Sequence, residues 1–306
     1  MIADTLISVQ NLSRFYGPLC AVNNISFEVK RGQVLGFLGP NGAGKTTTMQ
    51  MITGTLAPTL GQISIAGHDL LDYPLKAKAA IGYLPEQPPV YKEMRVEEYL
   101  RFCAKLHHIP RQKIAPAIDR VVEQCNLGQV RQRLVGNLSK GYQQRVGIAQ
   151  AIIHKPSVVI LDEPTIGLDP QEMIKIRELI RELAKDCSVI LSSHILQEVQ
   201  AVCNQVQIIN QGKLVLNDTI SGLLAQIQTT HLQIALHRPP DLEVLKQIDG
   251  VEKVEMKNNR FYIQYVADNS PAEVLVEKAV AANWGLYELI PEQRSLEQIF
   301  VALTNN

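Results

Sequence analysis

Eight consecutive residues near the N-terminus are arranged in an order suited to holding phosphate groups. They are Gly39, Pro40, Asn41, Gly42, Ala43, Gly44, Lys45 and Thr46, and together they fit the pattern GxxxxGK[ST]. Glycines let backbone N–H groups turn inward around phosphate oxygens. Lys45 can reach the β- and γ-phosphates, and the Thr46 hydroxyl can ligate Mg²⁺. The run therefore predicts a phosphate-binding loop for a nucleoside triphosphate.

A second candidate site is an apolar run that ends in two carboxylates. Val158–Leu161 is followed directly by Asp162 and Glu163. Asp162 suits a Mg²⁺ site, either directly or through water, and Glu163 is the candidate base that polarises an attacking water. This pattern alone also fits a strand that ends in a solvated loop. With the phosphate-binding loop upstream, the catalytic interpretation is favoured.

Short apolar runs that alternate with helical stretches predict how these residues are positioned. Val34–Leu38 is a continuous apolar strand that enters the glycines, and a helix begins at Lys45, which makes a strand–loop–helix phosphate unit. Val158–Leu161 and Val189–Leu191 read as further buried strands. Helices between such strands imply a parallel sheet, so residues 33 to about 210 are α/β.

Outside that sheet, the periodicity predicts more strands and a mostly helical region. Residues 6–9 and 25–29 read as strands, and in the latter the apolar residues alternate with polar ones. Residues 95–135 read as mostly helical, with Pro110 and Pro116 interrupting or restarting the helix. Another helix follows Ser139.

The stretch from Leu138 to Arg145 (LSKGYQQR) resembles the LSGGQ signature of ABC ATPases, with departures at Lys140 and Tyr142. In that family, Ser139 and Gly141 would lie at a helix N-terminus and face the γ-phosphate of ATP held by a second subunit. A helix N-terminus attracts anions because of its dipole. The resemblance implies a P-loop NTPase domain of the ABC type, with an antiparallel β subdomain and a helical subdomain.

Further motifs of the same family occur in the family's order. Gly167–Asp169 resembles the D-loop, so Asp169 is expected at the nucleotide, as is Thr47 beside the phosphate-binding loop. His194 follows a strand, as in the H-loop, where it would contact the γ-phosphate and hold the attacking water. Tyr16 resembles the aromatic residue that stacks on adenine, with Phe15 as the competitor.

One motif departs from the family pattern. Residues 81–85 (IGYLP) resemble the lead-in to the Q-loop, but Glu86 comes next and Gln87 follows it. Glutamate at this place resembles the gliding-motility and drug-export branches of the family. Either side chain could reach Mg²⁺ or its water, and the sequence leaves the choice between them open.

A change of texture near residue 220 predicts a domain boundary. The polar residues 217–219 and 226–230 lack strong periodicity, so we expect an ATPase domain over 1–220 and an accessory domain over 221–306. The predicted elements after the boundary are strands at 232–236, 252–257, 260–266 and 285–290, and helices at 241–247, 271–282 and 295–303. That β-α-β-β-α-β order, with a helical tail, is a small α+β ferredoxin-like arrangement.

Composition limits the classes that the chain can belong to. Thirty basic side chains balance thirty acidic ones, so no net charge draws the chain to nucleic acid, and none is expected as a partner. The five cysteines are scattered without a CxxC pair, which favours a reducing compartment. No signal peptide and no run of about 18 apolar residues is evident. A membrane role would therefore require a partner.

Taken together, the family resemblance implies an ATP-hydrolysing ABC transporter subunit that uses ATP and Mg²⁺. It would dimerise with itself or a close paralogue, and drive a separate membrane permease from the cytoplasmic face, with export favoured. The coupling surface would be the region from Glu86 to Val96. The alternatives are a non-transport ABC ATPase of DNA repair or translation, and an ATP sensor whose C-terminal domain binds a ligand.

Overall fold

The computed structural model describes residues 5–225, 231–257, 260–266 and 269–292. Its strands are β1 Thr5–Tyr16, β2 Leu19–Lys30, β3 Val34–Leu38, β4 Leu60–Ile65, β5 His68–Asp69, β6 Ile81–Leu84, β7 Val158–Asp162, β8 Ser188–Ser193, β9 Gln205–Asn210, β10 Lys213–Thr219, β11 His231–Leu236, β12 Val251–Lys257, β13 Arg260–Tyr265 and β14 Leu286–Glu292. Its α-helices are α1 Lys45–Ile52, α2 Pro74–Ala79, α3 Val96–Leu106, α4 Arg111–Gln124, α5 Lys140–Ile152, α6 Pro170–Leu183, α7 Leu196–Val202, α8 Ile220–Ala225, α9 Leu242–Lys246 and α10 Ala272–Ala281.

The chain divides into two compact units, Met1–Ile220 and Ser221–Asn306. Within the described residues, no helix is long and apolar enough to cross a bilayer.

A six-stranded sheet in the first unit carries the phosphate-binding loop after β3 and the two carboxylates at the end of β7. Its strand order is β10-β9-β3-β8-β7-β6, and every neighbouring pair is parallel except β9 with β10. All residues of β3, β7 and β8 are buried, as expected for strands covered on both faces. The α/β interpretation is confirmed.

A second, antiparallel sheet has the order β2-β1-β4-β5. Along β2, Ile25, Phe27 and Val29 are buried and the residues between them are exposed, which is the predicted alternation. Both sheets contribute to one hydrophobic cluster, in which Phe27 lies 5.8 Å from Phe37 between ring centroids.

The region between residues 95 and 135 is helical at α3 and α4, and α4 corrects one prediction. Pro110 caps α4 at its start, but Pro116 lies inside the helix and does not break it. Proline removes one backbone donor from a helix. Here the buried stripe of Ile114, Ile118 and Val121 continues on both sides of Pro116, and its packing holds the helix together.

The second unit is built on an antiparallel sheet with the order β12-β13-β11-β14. The element order β11-α9-β12-β13-α10-β14 is the β-α-β-β-α-β order predicted from the sequence. Leu245 from α9, Leu275 from α10 and Trp284 pack on Phe261 and Ile263 of the sheet. The ferredoxin-like class of this unit stays a prediction. The predicted helix at 295–303 lies outside the described residues.

Candidate nucleotide-binding site

The phosphate-binding loop connects the central strand β3 to helix α1, as predicted. Gly44 has a φ of 107°, in the left-handed region that favours glycine. A Cβ atom placed on Gly44 would lie 2.6 Å from the backbone oxygen of Ala21. Any side chain there would collide with β2, so glycine is required both by backbone conformation and by space.

Lys45 occupies the centre of the loop with its side chain almost fully buried. Its ammonium group donates to the carbonyl oxygens of Gly39, at 2.8 Å, and Pro40, at 3.3 Å. It also lies 3.3 Å from Glu163 Oε1. A buried ammonium group needs such partners, because desolvation of an unpaired charge is costly. Phosphate oxygens would compete with these carbonyls and with Glu163 for the ammonium group.

Glu163 links the loop to the end of β8. It directly follows β7 with a φ of 49°, an uncommon conformation for a residue other than glycine. Its N–H donates to the Ser192 hydroxyl at 3.1 Å, which fixes the backbone. Its Oε2 accepts a hydrogen bond from His194 Nδ1 at 2.9 Å. The predicted base, Glu163, and the predicted histidine, His194, are therefore in direct contact.

Asp162 lies at the buried end of β7. One carboxylate oxygen accepts a hydrogen bond from the Ser192 hydroxyl, while Oδ2, within the described residues, is buried without a hydrogen-bond partner. Burial raises the pKa of Asp162, the nearby hydroxyls of Ser192 and Thr46 lower it in part, and the charges of Glu163 and Glu86 raise it further. A nearby cation would stabilise the ionised form of Asp162, and this side chain lies near the Thr46 hydroxyl.

The oxygen atoms of Asp162 and Thr46 are suitable ligands for a magnesium ion. Mg²⁺ prefers oxygen ligands, keeps several waters, and binds through one or two carboxylates plus phosphate groups of its nucleotide. The unpartnered Asp162 Oδ2 and the Thr46 hydroxyl provide such oxygens. Among the described residues, no group of three or more His, Cys, Asp or Glu side chains forms an all-protein metal cage. The ion would therefore depend on the nucleotide for its other ligands.

A cavity of about 380 Å³ lies in front of the loop. Its lining consists of Ala21, Asn41, Gly42, Gly44, Lys45, Thr46, Thr47, Glu86, Glu163 and Ile166. Glu86 belongs to this lining and Gln87 does not, so Glu86 is the side chain placed near the candidate metal position. Ala21 and Ile166 were not among the predicted site residues. Both are small or apolar groups that no sequence motif marks as ligand-binding.

Ser192 is a further residue that the sequence analysis missed. Its hydroxyl contacts both Asp162 and the Glu163 backbone, so it holds the two carboxylates at the end of β7. The only signal was its position next to Ser193 and His194, at the end of a strand that pairs with β7.

Tyr16 lies outside the cavity lining. The residue is 44% exposed, and the guanidinium carbon of Arg14 lies over its ring, 4.7 Å from the centroid. Phe15, the competitor, is 39% exposed. The adenine-stacking role of Tyr16 stays a prediction.

The signature and D-loop residues also lie outside this cavity lining. Ser139 caps α5, with its hydroxyl accepting from the Tyr142 N–H at 3.5 Å, and Gly141 is in the first turn of that helix. Asp169 caps α6, with its carboxylate accepting from the Glu172 N–H at 2.9 Å. One chain therefore supplies a cavity lined by the loop, Glu163 and Glu86, while Asp162 lies behind Thr46 and the start of the signature helix is not part of the lining.

The parallel sheet, the loop after β3 and the carboxylates at the end of β7 define a P-loop nucleoside triphosphatase. A family profile described as ABC transporter matches residues 22–166. The chain is 38% identical over 300 residues to the uncharacterized ABC transporter ATP-binding protein YxlF of Bacillus subtilis, covering 98% of this chain and 100% of that protein. The chain belongs to the ATP-binding, ATP-hydrolysing subunits of ABC transporters.

Two further comparisons agree with this family. The bacitracin transport ATP-binding protein BcrA of Bacillus licheniformis is 36% identical over 278 residues, which cover 90% of this chain and 79% of that protein. A solved ATP-binding subunit of an ABC transporter superposes with a TM-score of 0.66 at 31% identity, covering 72% of this chain and 92% of that chain. The fold of the first unit is therefore that of an ABC ATPase.

Proposed function

We propose that the chain powers an exporter as one of two ATPase subunits that close around ATP. Each of two sites would join the phosphate-binding loop of one subunit to the Ser139–Gly141 segment of the other. The second subunit is another copy or a close paralogue. ATP binding closes the pair, and hydrolysis with product release opens it, which would drive a separate membrane permease between its two states.

The observation that carries this proposal is the incomplete site of a single chain. Lys45, Thr46 and Glu163 line one cavity, and Asp162 lies against Thr46. Ser139 and Gly141, at a helix start that would attract an anion, are absent from that lining. This helix N-terminus would meet phosphate if a second subunit brought its own nucleotide against it.

Within the site, each side chain has a chemical task. Lys45 would exchange its contacts with Gly39 and Pro40 for phosphate oxygens and neutralise their charge. Glu163 would accept a proton from the attacking water, held in orientation by His194. Thr46, Asp162 and Glu86 would hold Mg²⁺, which when bound supplies charge neutralisation at the phosphates.

Localisation and cargo direction follow from the same proposal. A partner permease would hold the chain at the cytoplasmic face of the membrane as a peripheral subunit. The region from Glu86 to Val96 offers it an exposed aromatic surface, with Tyr91 51% exposed and packed edge-on against Phe102 at 5.6 Å. The name of the BcrA relative refers to bacitracin transport, and this, with the resemblance at Glu86, supports export.

We also propose residues 1–220 as the ATPase domain and 221–306 as an accessory domain.

Ser139→Ala tests the cross-subunit site. We expect ATP affinity of the monomer to stay within about twofold, because Ser139 does not line the cavity, and ATPase activity to fall at least tenfold. Dimer formation would be followed by analytical ultracentrifugation with ATP, in a Glu163→Gln background that slows hydrolysis. Equal loss of monomer ATP binding, or ATP-driven dimerisation at the parental level, would overturn the proposal.

A membrane pull-down with the full chain tests the class of partner. Co-purification with a polytopic membrane protein supports the transport assignment. Recovery of ribosomes or DNA without such a protein would contradict it and favour a non-transport ABC ATPase.

A further inference from the structure

Glu172 lies where the signature helix and the D-loop helix of one chain meet. It is in the first turn of α6, and its own N–H is the donor that the Asp169 carboxylate accepts at 2.9 Å. Its side chain is only 16% exposed, unusually low for a glutamate next to a helix end. The Glu172 backbone therefore holds the Asp169 side chain of the D-loop, while the Glu172 carboxylate makes separate contacts with α5.

That carboxylate lies directly against the signature segment. A Cβ atom placed on Gly141 would be 2.5 Å from Glu172 Oε2 and 2.9 Å from Glu172 Cδ. A side chain at position 141 would displace the Glu172 carboxylate, which is the end of a flexible side chain, from its place against α5. The carboxylate thus packs on the signature residue Gly141.

An ion pair locks the same contact. Arg145 lies one turn further along α5 with its side chain 7% exposed, and its Nη2 donates a hydrogen bond to Glu172 Oε2. The Tyr142 ring covers the guanidinium, whose central carbon lies 5.0 Å from the ring centroid. The other carboxylate oxygen of Glu172 accepts from Lys175 at 2.8 Å. Lys175 and Arg145 together hold the pKa of Glu172 below its usual range.

An ion pair in which one partner, Arg145, is buried fixes geometry more than it stabilises the fold. Its desolvation cost offsets much of its Coulomb attraction, yet removal of one partner leaves a buried charge unpaired. Arg145 also has a buried Nε without a hydrogen-bond partner among the described residues. The best-supported use of such a pair is to specify one arrangement of the two elements that carry it.

A second contact joins the same two segments. A Cβ atom placed on Gly167, in the D-loop, would collide with the Lys140 ammonium group in the first turn of α5. Lys140 is the residue that departs from the family signature. It therefore touches the loop before α6, while Glu172 touches the helix after it.

We infer that Glu172, through Arg145 and Gly141, is a positioning residue that makes the signature helix and the D-loop move as one body. This inference rests on the proposed function, because both segments act there on nucleotide held by the other subunit. The contact of Glu172 with Arg145 and Gly141 is called the joint. With the joint intact, closure of the dimer would bring the signature segment and the D-loop to the nucleotide together. Without it, each segment would have to be ordered separately at the moment of closure, which weakens ATP-driven dimerisation.

Glu172→Gln tests the joint, because it keeps the shape of the side chain and removes its charge. Glu182→Gln is the matched control: it lies on the same helix and removes a carboxylate paired with Lys185 at the same i,i+3 spacing that joins Glu172 to Lys175. In the full-length chain we expect Glu172→Gln to lower maximal ATPase activity at least tenfold with the KM for ATP changed less than threefold. We expect Glu182→Gln to match the wild type within twofold.

ATP-driven dimerisation in a Glu163→Gln background separates positioning from folding. We expect Glu172→Gln to raise the protein concentration needed for dimer formation at least tenfold, while the monomer binds a fluorescent ATP analogue with unchanged affinity. Glu172→Asp, which retains the charge, should recover part of the loss and serves if the first variant folds poorly. A double-mutant cycle with Arg145→Gln should show non-additive losses.

The outcomes distinguish this inference from the proposed function. Dimerisation of Glu172→Gln at the parental level, or additive losses in the cycle, overturns the inference. If Ser139→Ala weakens dimerisation while Glu172→Gln does not, the inference alone fails. If neither variant weakens it, the cross-subunit site of the proposed function fails as well.

Discussion

The Glu163 carboxylate accepts a hydrogen bond from His194 Nδ1 at 2.9 Å. Its other oxygen lies 3.3 Å from the Lys45 ammonium group. One side chain thus joins the candidate histidine to the lysine of the phosphate-binding loop. Phosphate binding at Lys45 would therefore compete with its ion pair to Glu163.

Glu163→Gln is expected to separate ATP binding from hydrolysis. A glutamine cannot accept the proton of the attacking water, and loss of a general base typically costs about 10²–10⁴-fold in rate. Binding of ATP should be retained or strengthened, because Lys45 loses the partner that competes with phosphate. Steady-state ATPase assays and equilibrium binding of ATP measure the two effects. ATPase activity within tenfold of the wild type would rule out Glu163 as the base.

Glu86→Gln is expected to change the Mg²⁺ requirement of the ATPase. Glu86 lines the cavity and its charge raises the pKa of Asp162, so it acts on the candidate metal position. Removal of that charge should raise the Mg²⁺ concentration for half-maximal activity several-fold. The matched control is Gln87→Ala, one residue along and outside the cavity lining, which should leave the Mg²⁺ dependence unchanged. The reverse pattern would assign the Q-loop role to Gln87.

The site motifs could be predicted from sequence because each is a short local pattern. The glycines before Lys45 follow β3, and the carboxylates after Leu161 end β7. Both strands pair in parallel with β8, so the two motifs meet at the same edge of the sheet. The partners of these residues could not be predicted in this way. Ser192 contacts Asp162 across 30 positions of sequence, and nothing local in either segment specifies that contact.

Tertiary packing also explains the error at Pro116. Proline lowers helix propensity through its own backbone, which is a local effect. Whether the helix survives depends on the stripe of buried residues around it, and Ile118 and Val121 are both fully buried. The pairing of β1 with β4, whose residues Ile7 and Ile65 are partners, is likewise set by packing over a long separation and was not predicted.

Gly36→Ala is expected to destabilise the ATPase domain. Gly36 lies in the middle of β3, where an added Cβ atom would collide with Val199 Cγ1 of α7 and lie 3.1 Å from Cys203 Sγ. Overpacking of this kind typically costs about 1–3 kcal/mol. Denaturant unfolding of the whole chain, monitored by circular dichroism, measures the change.

Gly128→Ala is the control for that experiment. Among the described residues, no atom beyond its chain neighbours lies within 4 Å of its added Cβ, and its backbone is not left-handed, so stability should change by about 0.5 kcal/mol or less. Val199→Ala added to Gly36→Ala should recover part of the loss by removing the colliding methyl groups. A Gly36→Ala variant as stable as Gly128→Ala would show that α7 can shift away from β3 without cost.

The stacked pair of His107 and His154 is expected to make stability fall in mild acid. The rings are parallel within 7° at a centroid distance of 3.7 Å, and His154 Nε2–H donates to the Ile81 carbonyl at 2.9 Å. Burial, with the nearby charges of His107 and Arg120, lowers the pKa of His154 to about 4. Burial also lowers the pKa of His107.

Stability falls with falling pH because the folded chain favours the neutral form of His154. Above pH 6.5 both folded and unfolded His154 are neutral, so the ring adds no pH dependence. Between pH 6.5 and 4 only the unfolded chain takes up the proton, and stability falls by about 1.4 kcal/mol per pH unit at most. We expect a loss of about 2 kcal/mol across this window after allowance for the exposed part of the ring. His154→Gln keeps a donor for Ile81 and removes the titration, so its free energy of unfolding should fall less steeply from pH 6.5 to 4. Parallel curves for the two proteins would show that His154 does not titrate differently in the folded chain.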